Sequence, residues 1–138
     1  MQDISLHILD IVENAINAHA TKIDVRVAED REKDLLTVTI QDNGIGMDET
    51  SACSALDPFW STKPGKRIGL GLPLLAQAAR ESGGTVSIES RPEAGTKIVA
   101  RFTLSHPDRK PLGDIQGTIR LLEKTHPEVF FSIVYDNT

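Results

Sequence analysis

The chain is poor in cysteine. Cys53 is the sole one among 138 residues. It cannot close an internal disulfide and lacks the partners of a structural zinc site, so a reducing, cytoplasmic setting is expected. Long hydrophobic runs are missing too: none reaches the ~20 residues that span a bilayer, which excludes a helical membrane anchor. The N-terminus carries Asp3 and then an amphipathic pattern, not a basic flank and an apolar stretch, so no signal peptide is expected. There is no excess of positive charge. The net charge of -5 argues against nucleic acid as a partner. Internal repeats and low-complexity tracts are absent as well.

What is there is an ordinary soluble balance, 39% hydrophobic and 25% charged. A chain of this length reads as one domain and can bury about two-thirds of its unfolded surface. One stretch stands out, Asp42-Asn43-Gly44-Ile45-Gly46-Met47. It follows a strand pattern over 35–40 in which Leu36, Val38 and Ile40 alternate with polar residues. A carboxylate therefore stands at the mouth of a strand. Gly44 and Gly46 let backbone pass close to a ligand where a Cβ would collide. A lone Asp-Asn-Gly is also the commonest kind of turn.

Around this stretch the periodicity gives an order of elements. Residues 3–18 read as a helix with Ile4, Ile8, Ile11, Val12, Ala15 and Ile16 on one face. His7, Asp10, Asn14 and Asn17 line up on another. Such a stripe is usually solvated; alternatively, Asp10 and Asn14 offer oxygens to one hydrated cation. Residues 22–27 alternate as a strand and form a hairpin with 35–40. A short helix is expected from Asp48 to about Leu56, with Cys53 as a small core residue, then a loop over 57–67 containing Phe59, Trp60 and Lys63. Gly69-Leu70-Gly71-Leu72 leads into a helix over 72–82, where free N–H groups and the helix dipole favour an anion. Strands over 85–89 and 97–104 flank a turn at 91–96. A helix over 114–124 and a strand over 129–135 close the chain. The expected fold is α+β, a mainly antiparallel mixed sheet with helices on one face.

Spacing excludes two phosphate-binding motifs. Gly65-Lys66 is not a P-loop, which wants Gly at Trp60 and Ser or Thr at Arg67. Gly69-x-Gly71 lacks the third glycine and the preceding strand of a dinucleotide fingerprint. Four pieces remain in a fixed order: Asp10-x-x-x-Asn14-Ala15, Asp42-x-Gly44-x-Gly46, Gly69-Leu70-Gly71-Leu72 and Gly95-Thr96. Each is weak alone; the ordered set resembles the ATPase superfamily shared by gyrase, the heat-shock chaperone of ninety kilodaltons, mismatch-repair ATPases and histidine-kinase catalytic domains. The resemblance covers about residues 3–104. The whole chain is also similar to small histidine-kinase-like ATP-binding proteins.

That resemblance implies a two-layer α/β sandwich of the Bergerat type that binds ATP with Mg²⁺. It divides the chain into an ATP-binding part, 1–104, and a helix-strand extension of the same domain, 105–138. It implies that Asn14 holds Mg²⁺, and that Asp42 accepts the adenine amino group. Gly44 and Gly46 would let the base lie close to the backbone, Thr96 would support Asp42 and the base, and Asn17 and Met47 would also belong to the nucleotide-binding set. Gly69, Leu70, Gly71 and Leu72 would wrap the phosphates, with Lys63 reaching them from a lid over 57–68. Asp10 takes the place of the acid or amide that orients the attacking group. Two functions follow as expectations. One is a kinase-like protein that phosphorylates an unidentified partner in signal transduction; the other is an ATP-driven conformational switch with little or no phosphotransfer. A topoisomerase-like ATPase is disfavoured, because such members carry an additional transducer domain.

Overall fold

The computed structural model describes residues 4–46, 71–107, 109 and 112–137. Helix α1 spans Ile4–Asn17 and buries Ile4, Ile8, Ile11, Val12 and Ala15 at helical spacing. It ends because His19 turns left-handed, with φ of 65°. The Ala20 N–H then donates back to the Ala15 carbonyl at 3.1 Å, the closing bond of a helix C-terminus. The polar stripe expected on α1 is not uniformly solvated. His7 is buried, Asp10 and Asn14 are half-buried, and Asn17 is exposed.

Five strands form one sheet: β1 Lys22–Asp30, β2 Leu35–Asp42, β3 Thr85–Arg91, β4 Gly95–Thr103 and β5 Phe130–Asn137. Their spatial order is β3-β4-β2-β1-β5. All pairs are antiparallel except β5 on β1. The sheet is therefore mixed and mainly antiparallel, as expected from the sequence. Alternation sorts its two faces. Ile23, Val25, Val27, Leu36, Val38, Ile40, Ile98, Ala100 and Phe102 are buried on one side. On that side lie α1, α2 (Gly71–Glu81) and α3 (Ile115–Thr125), with α1 packed against both of the others. Ile115, Ile119, Leu122 and Phe131 join the same hydrophobic core as α1 and the central strands.

The strands around the Asp-Asn-Gly stretch run further than hydrophobic alternation suggests. β2 continues through Gln41 to Asp42, and β4 begins at Gly95 rather than Lys97. Gln41 and Asp42 then pair with Lys97 and Thr96. Cross-strand hydrogen bonding extends the ladder through residues of low strand preference, because pairing context outweighs propensity.

Helix α3 begins with Asp114 as its cap, whose Oδ1 accepts the Gly117 N–H at 2.9 Å. Asp114→Ala removes that acceptor and is expected to cost about 1 kcal/mol, read as a lowered chemical-denaturation midpoint.

Candidate functional site

Asp42 has the same parity in β2 as Leu36, Val38 and Ile40, so its carboxylate stands on the helix-facing side of the sheet, at its end. Oδ1 accepts the Gly44 N–H at 2.8 Å, which bends the chain out of the strand. Burial raises the Asp42 pKa above its ordinary value. The backbone N–H groups of Gly44 and Thr96 oppose that shift without cancelling it. For a half-buried carboxylate whose burial outweighs these two backbone donors, an incoming N–H donor is favourable.

The loop after Asp42 is clamped from three sides. The Ile45 N–H donates to the Ala18 carbonyl at the end of α1, at 2.9 Å. The Asn43 side chain accepts the N–H groups of Thr21 and Lys22 at 2.8 and 3.0 Å, and donates to the Thr21 hydroxyl. The third clamp is the β3–β4 hairpin, whose Glu93 N–H donates to the Ile45 carbonyl. Chain packing fills the space where a Cβ would sit on the glycines. At Gly46, φ is +70° and an added Cβ would lie 2.0 Å from the Arg91 carbonyl oxygen; at Gly44 it would lie 2.8 Å from that of Ala18. The glycines let backbone pass close to backbone, which holds Asp42 in place.

Asp42, Gly44, Gly46 and Thr96 are thus brought together at one end of the sheet. Thr96 is the cross-strand partner of Asp42 and lies on the same face. Asp10 and Asn14 are four residues apart on α1, hence on one helical face, and Ala18 follows just past its end. The Ile45 N–H donates to the Ala18 carbonyl, so the C-terminal end of α1 meets the Asp42 loop. Asn17 is solvent-exposed. The backbone of Gly71 and Leu72 forms the first turn of α2, whose leading N–H groups have no partner within the helix. Met47, Lys63, Gly69 and Leu70 lie outside the described residues, as do Cys53, the short helix expected over 48–56 and the loop over 57–68.

A cleft of about 530 Å³ opens at this end of the sheet, lined by Gln41, Asp42, Ser90, Arg91, Gly95, Thr96 and neighbours. Among the described residues, no α1 residue lines it. Sequence reasoning passed over two residues that the structure brings into play. One is Asn43, whose side chain ties the loop to the α1–β1 turn. The other is Ser90, 2.8 Å from the Thr96 hydroxyl. A conformationally demanding Asn-Gly pair is a signal for the first; nothing local in the sequence marks the second.

Residues 2–107 match the family described as histidine kinase-, DNA gyrase B-, and HSP90-like ATPase. The chain belongs to that family. Within it, similarity runs to sensor proteins. A putative sensor protein of Shewanella frigidimarina is 30% identical over 113 residues, 78% of this chain and 17% of that protein. The sensor histidine kinase CpxA of Escherichia coli K12 is 33% identical over 95 residues, 65% of this chain and 20% of the kinase. This histidine-kinase-like ATPase domain thus spans about a fifth of the length of these relatives. Two solved structures share its fold. The N-terminal domain of a DNA repair protein aligns with a TM-score of 0.70 and 16% identity, over 99% of this chain and 50% of that one. The MutL ATPase domain of Aquifex aeolicus, complexed with ADP, aligns with a TM-score of 0.58 and 16% identity, over 99% and 60%. Among the described residues, no helix is long and apolar enough to cross a membrane.

Proposed function

We propose that the chain binds ATP with Mg²⁺ and transfers the terminal phosphoryl group to a partner protein. The observation that carries the reading is the half-buried Asp42 carboxylate at the end of β2, paired across the ladder with Thr96. Asp42 accepts an N–H of the adenine amino group, which a 6-oxo purine does not possess. Membership of the ATPase family supports the nucleotide, and the similarity to sensor histidine kinases supports transfer to protein.

The residues fit a magnesium ion held mainly by phosphate and water. Among the described residues, no three His, Cys, Asp or Glu side chains are grouped to hold a metal by themselves. Mg²⁺ in phosphoryl-transfer sites keeps several waters and takes few protein oxygens, so the single Asn14 amide is a suitable donor. When bound, the ion supplies neutralisation of phosphate charge. The first turn of α2 turns N–H groups toward an anion, and its dipole favours negative charge. Asp10, one turn before Asn14, orients the acceptor group and takes its proton. A cytoplasmic setting, where ATP is supplied, belongs to this reading.

The test is incubation with γ-labelled ATP and candidate acceptors, comparing wild type with Asp10→Asn. The variant is expected to keep ATP affinity and lose about 10²- to 10⁴-fold in transfer, the usual worth of a positioned acid or base. Equal transfer by both forms removes Asp10 from the chemistry. No labelled acceptor with either form favours a nucleotide switch over a kinase.

A further inference from the structure

Ser90, Thr96 and Asp42 stand in one row across β3, β4 and β2, all on the helix-facing side. The Ser90 hydroxyl lies 3.0 Å from the Gly95 carbonyl oxygen and 2.8 Å from Thr96 Oγ1. A serine hydroxyl has one proton, and a carbonyl oxygen only accepts. Ser90 therefore donates to Gly95, and in the Ser90–Thr96 contact the proton comes from Thr96. That direction has a consequence at the ligand side. With its proton directed to Ser90, Thr96 Oγ1 has only lone pairs left to offer. Beside it the Asp42 carboxylate also only accepts. Among the described residues, the base end of the site then presents two neighbouring acceptors.

We propose that Ser90 is a specificity-determining residue. By holding the Thr96 proton away from the ligand, it keeps the site selective for a 6-amino purine over a 6-oxo purine. An exocyclic amine brings N–H donors to this pair of acceptors. A 6-oxo group brings lone pairs against lone pairs at the position where the amine would have donated. Without Ser90 the Thr96 hydroxyl is free to rotate and donate to the oxo group, which relieves part of that mismatch. The inference rests on the reading of Asp42 and Thr96 as the base-binding end, and adds to it a residue outside the four sequence motifs.

ATP and inosine triphosphate differ only in the amino or oxo substituent at position 6 and the proton at N1, so the ratio of their dissociation constants reads the effect. It is measured by calorimetric titration of wild type, Ser90→Ala, Ser90→Cys and Ser90→Thr, each checked for folding by circular dichroism. Wild type is expected to prefer ATP. Ser90→Ala should lower that preference roughly fivefold to tenfold, the equivalent of one neutral hydrogen bond. Ser90→Cys, nearly the same size and a weaker partner, should lower it less and covers the case in which alanine unfolds the chain. Ser90→Thr restores the hydroxyl and should keep the preference. In a Thr96→Val background, Ser90→Ala should leave the ratio unchanged, because its effect passes through Thr96. An unchanged ratio in a folded Ser90→Ala or Ser90→Cys protein overturns the role of Ser90 alone. A wild-type protein that binds neither nucleotide overturns the underlying reading, and this inference with it.

Discussion

Asp42→Ala is expected to remain folded and to lose about 10²-fold or more in ATP affinity. A hydrogen bond to a charged group contributes ~1.5–3 kcal/mol, and its loss takes with it the main discrimination for the base. Calorimetric titration with ATP and Mg²⁺ measures the loss; unaltered affinity in a folded variant removes Asp42 from the site. The same substitution has a stability signature of known sign. Burial raises the Asp42 pKa in the folded chain above the ordinary 3.8. The folded state then holds a proton to higher pH than the unfolded state does. The resulting stabilisation is fully present below 3.8 and is lost as pH rises through the folded value. Wild type should therefore gain stability relative to Asp42→Ala on acidification through this window. Denaturant melts across acid pH test it, and a constant difference between the two proteins contradicts it. At neutral pH the buried charge is a cost that a bound amino group offsets, which is how a binding residue is expected to behave.

The layers of this fold were legible because they follow from periodicity. Ile4, Ile8, Ile11, Val12 and Ala15 repeat at helical spacing, and Ile23, Val25 and Val27 alternate; both sets are buried where those patterns put them. Asp42 at the strand mouth was legible for the same reason, as the next polar position after an alternating run. The strand ends around the site were not. Hydrophobic alternation stops at Ile40 and restarts at Lys97-Ile98, while the ladder continues through Asp42–Thr96 and Arg91–Gly95. Those pairs are formed by backbone bonds and cross-strand context, which a one-dimensional pattern does not carry. Ser90 was invisible for a related reason. Its meaning depends on the register of β3 on β4, which brings it opposite a threonine six positions away in sequence.

Gly95→Ala is expected to carry a large cost to the site's framework. Gly95 has φ of +87°, and an added Cβ would lie 2.1 Å from the Asp42 carbonyl oxygen and 3.0 Å from the Asn43 Cα. The left-handed backbone alone costs a non-glycine residue roughly 1–2 kcal/mol. The collision adds overpacking of typically 1–3 kcal/mol, because the obstacle is backbone in a paired strand rather than a side chain that swings away. A total of about 3 kcal/mol is expected, or a fall in melting temperature of roughly 10 °C for a chain of this size. Gly83→Ala separates the two contributions. Its φ of +77° carries a similar conformational cost, but the nearest obstacle is the Thr103 hydroxyl at 3.1 Å. If strain at positive φ were the whole effect, the two variants would melt together. A lower melting point for Gly95→Ala, accompanied by weaker ATP binding in whatever fraction stays folded, locates the difference at the crossing of the β3–β4 hairpin with the end of β2. That crossing places Thr96 beside Asp42, so the stability of the hairpin and the geometry of the proposed base-binding end are the same physical constraint.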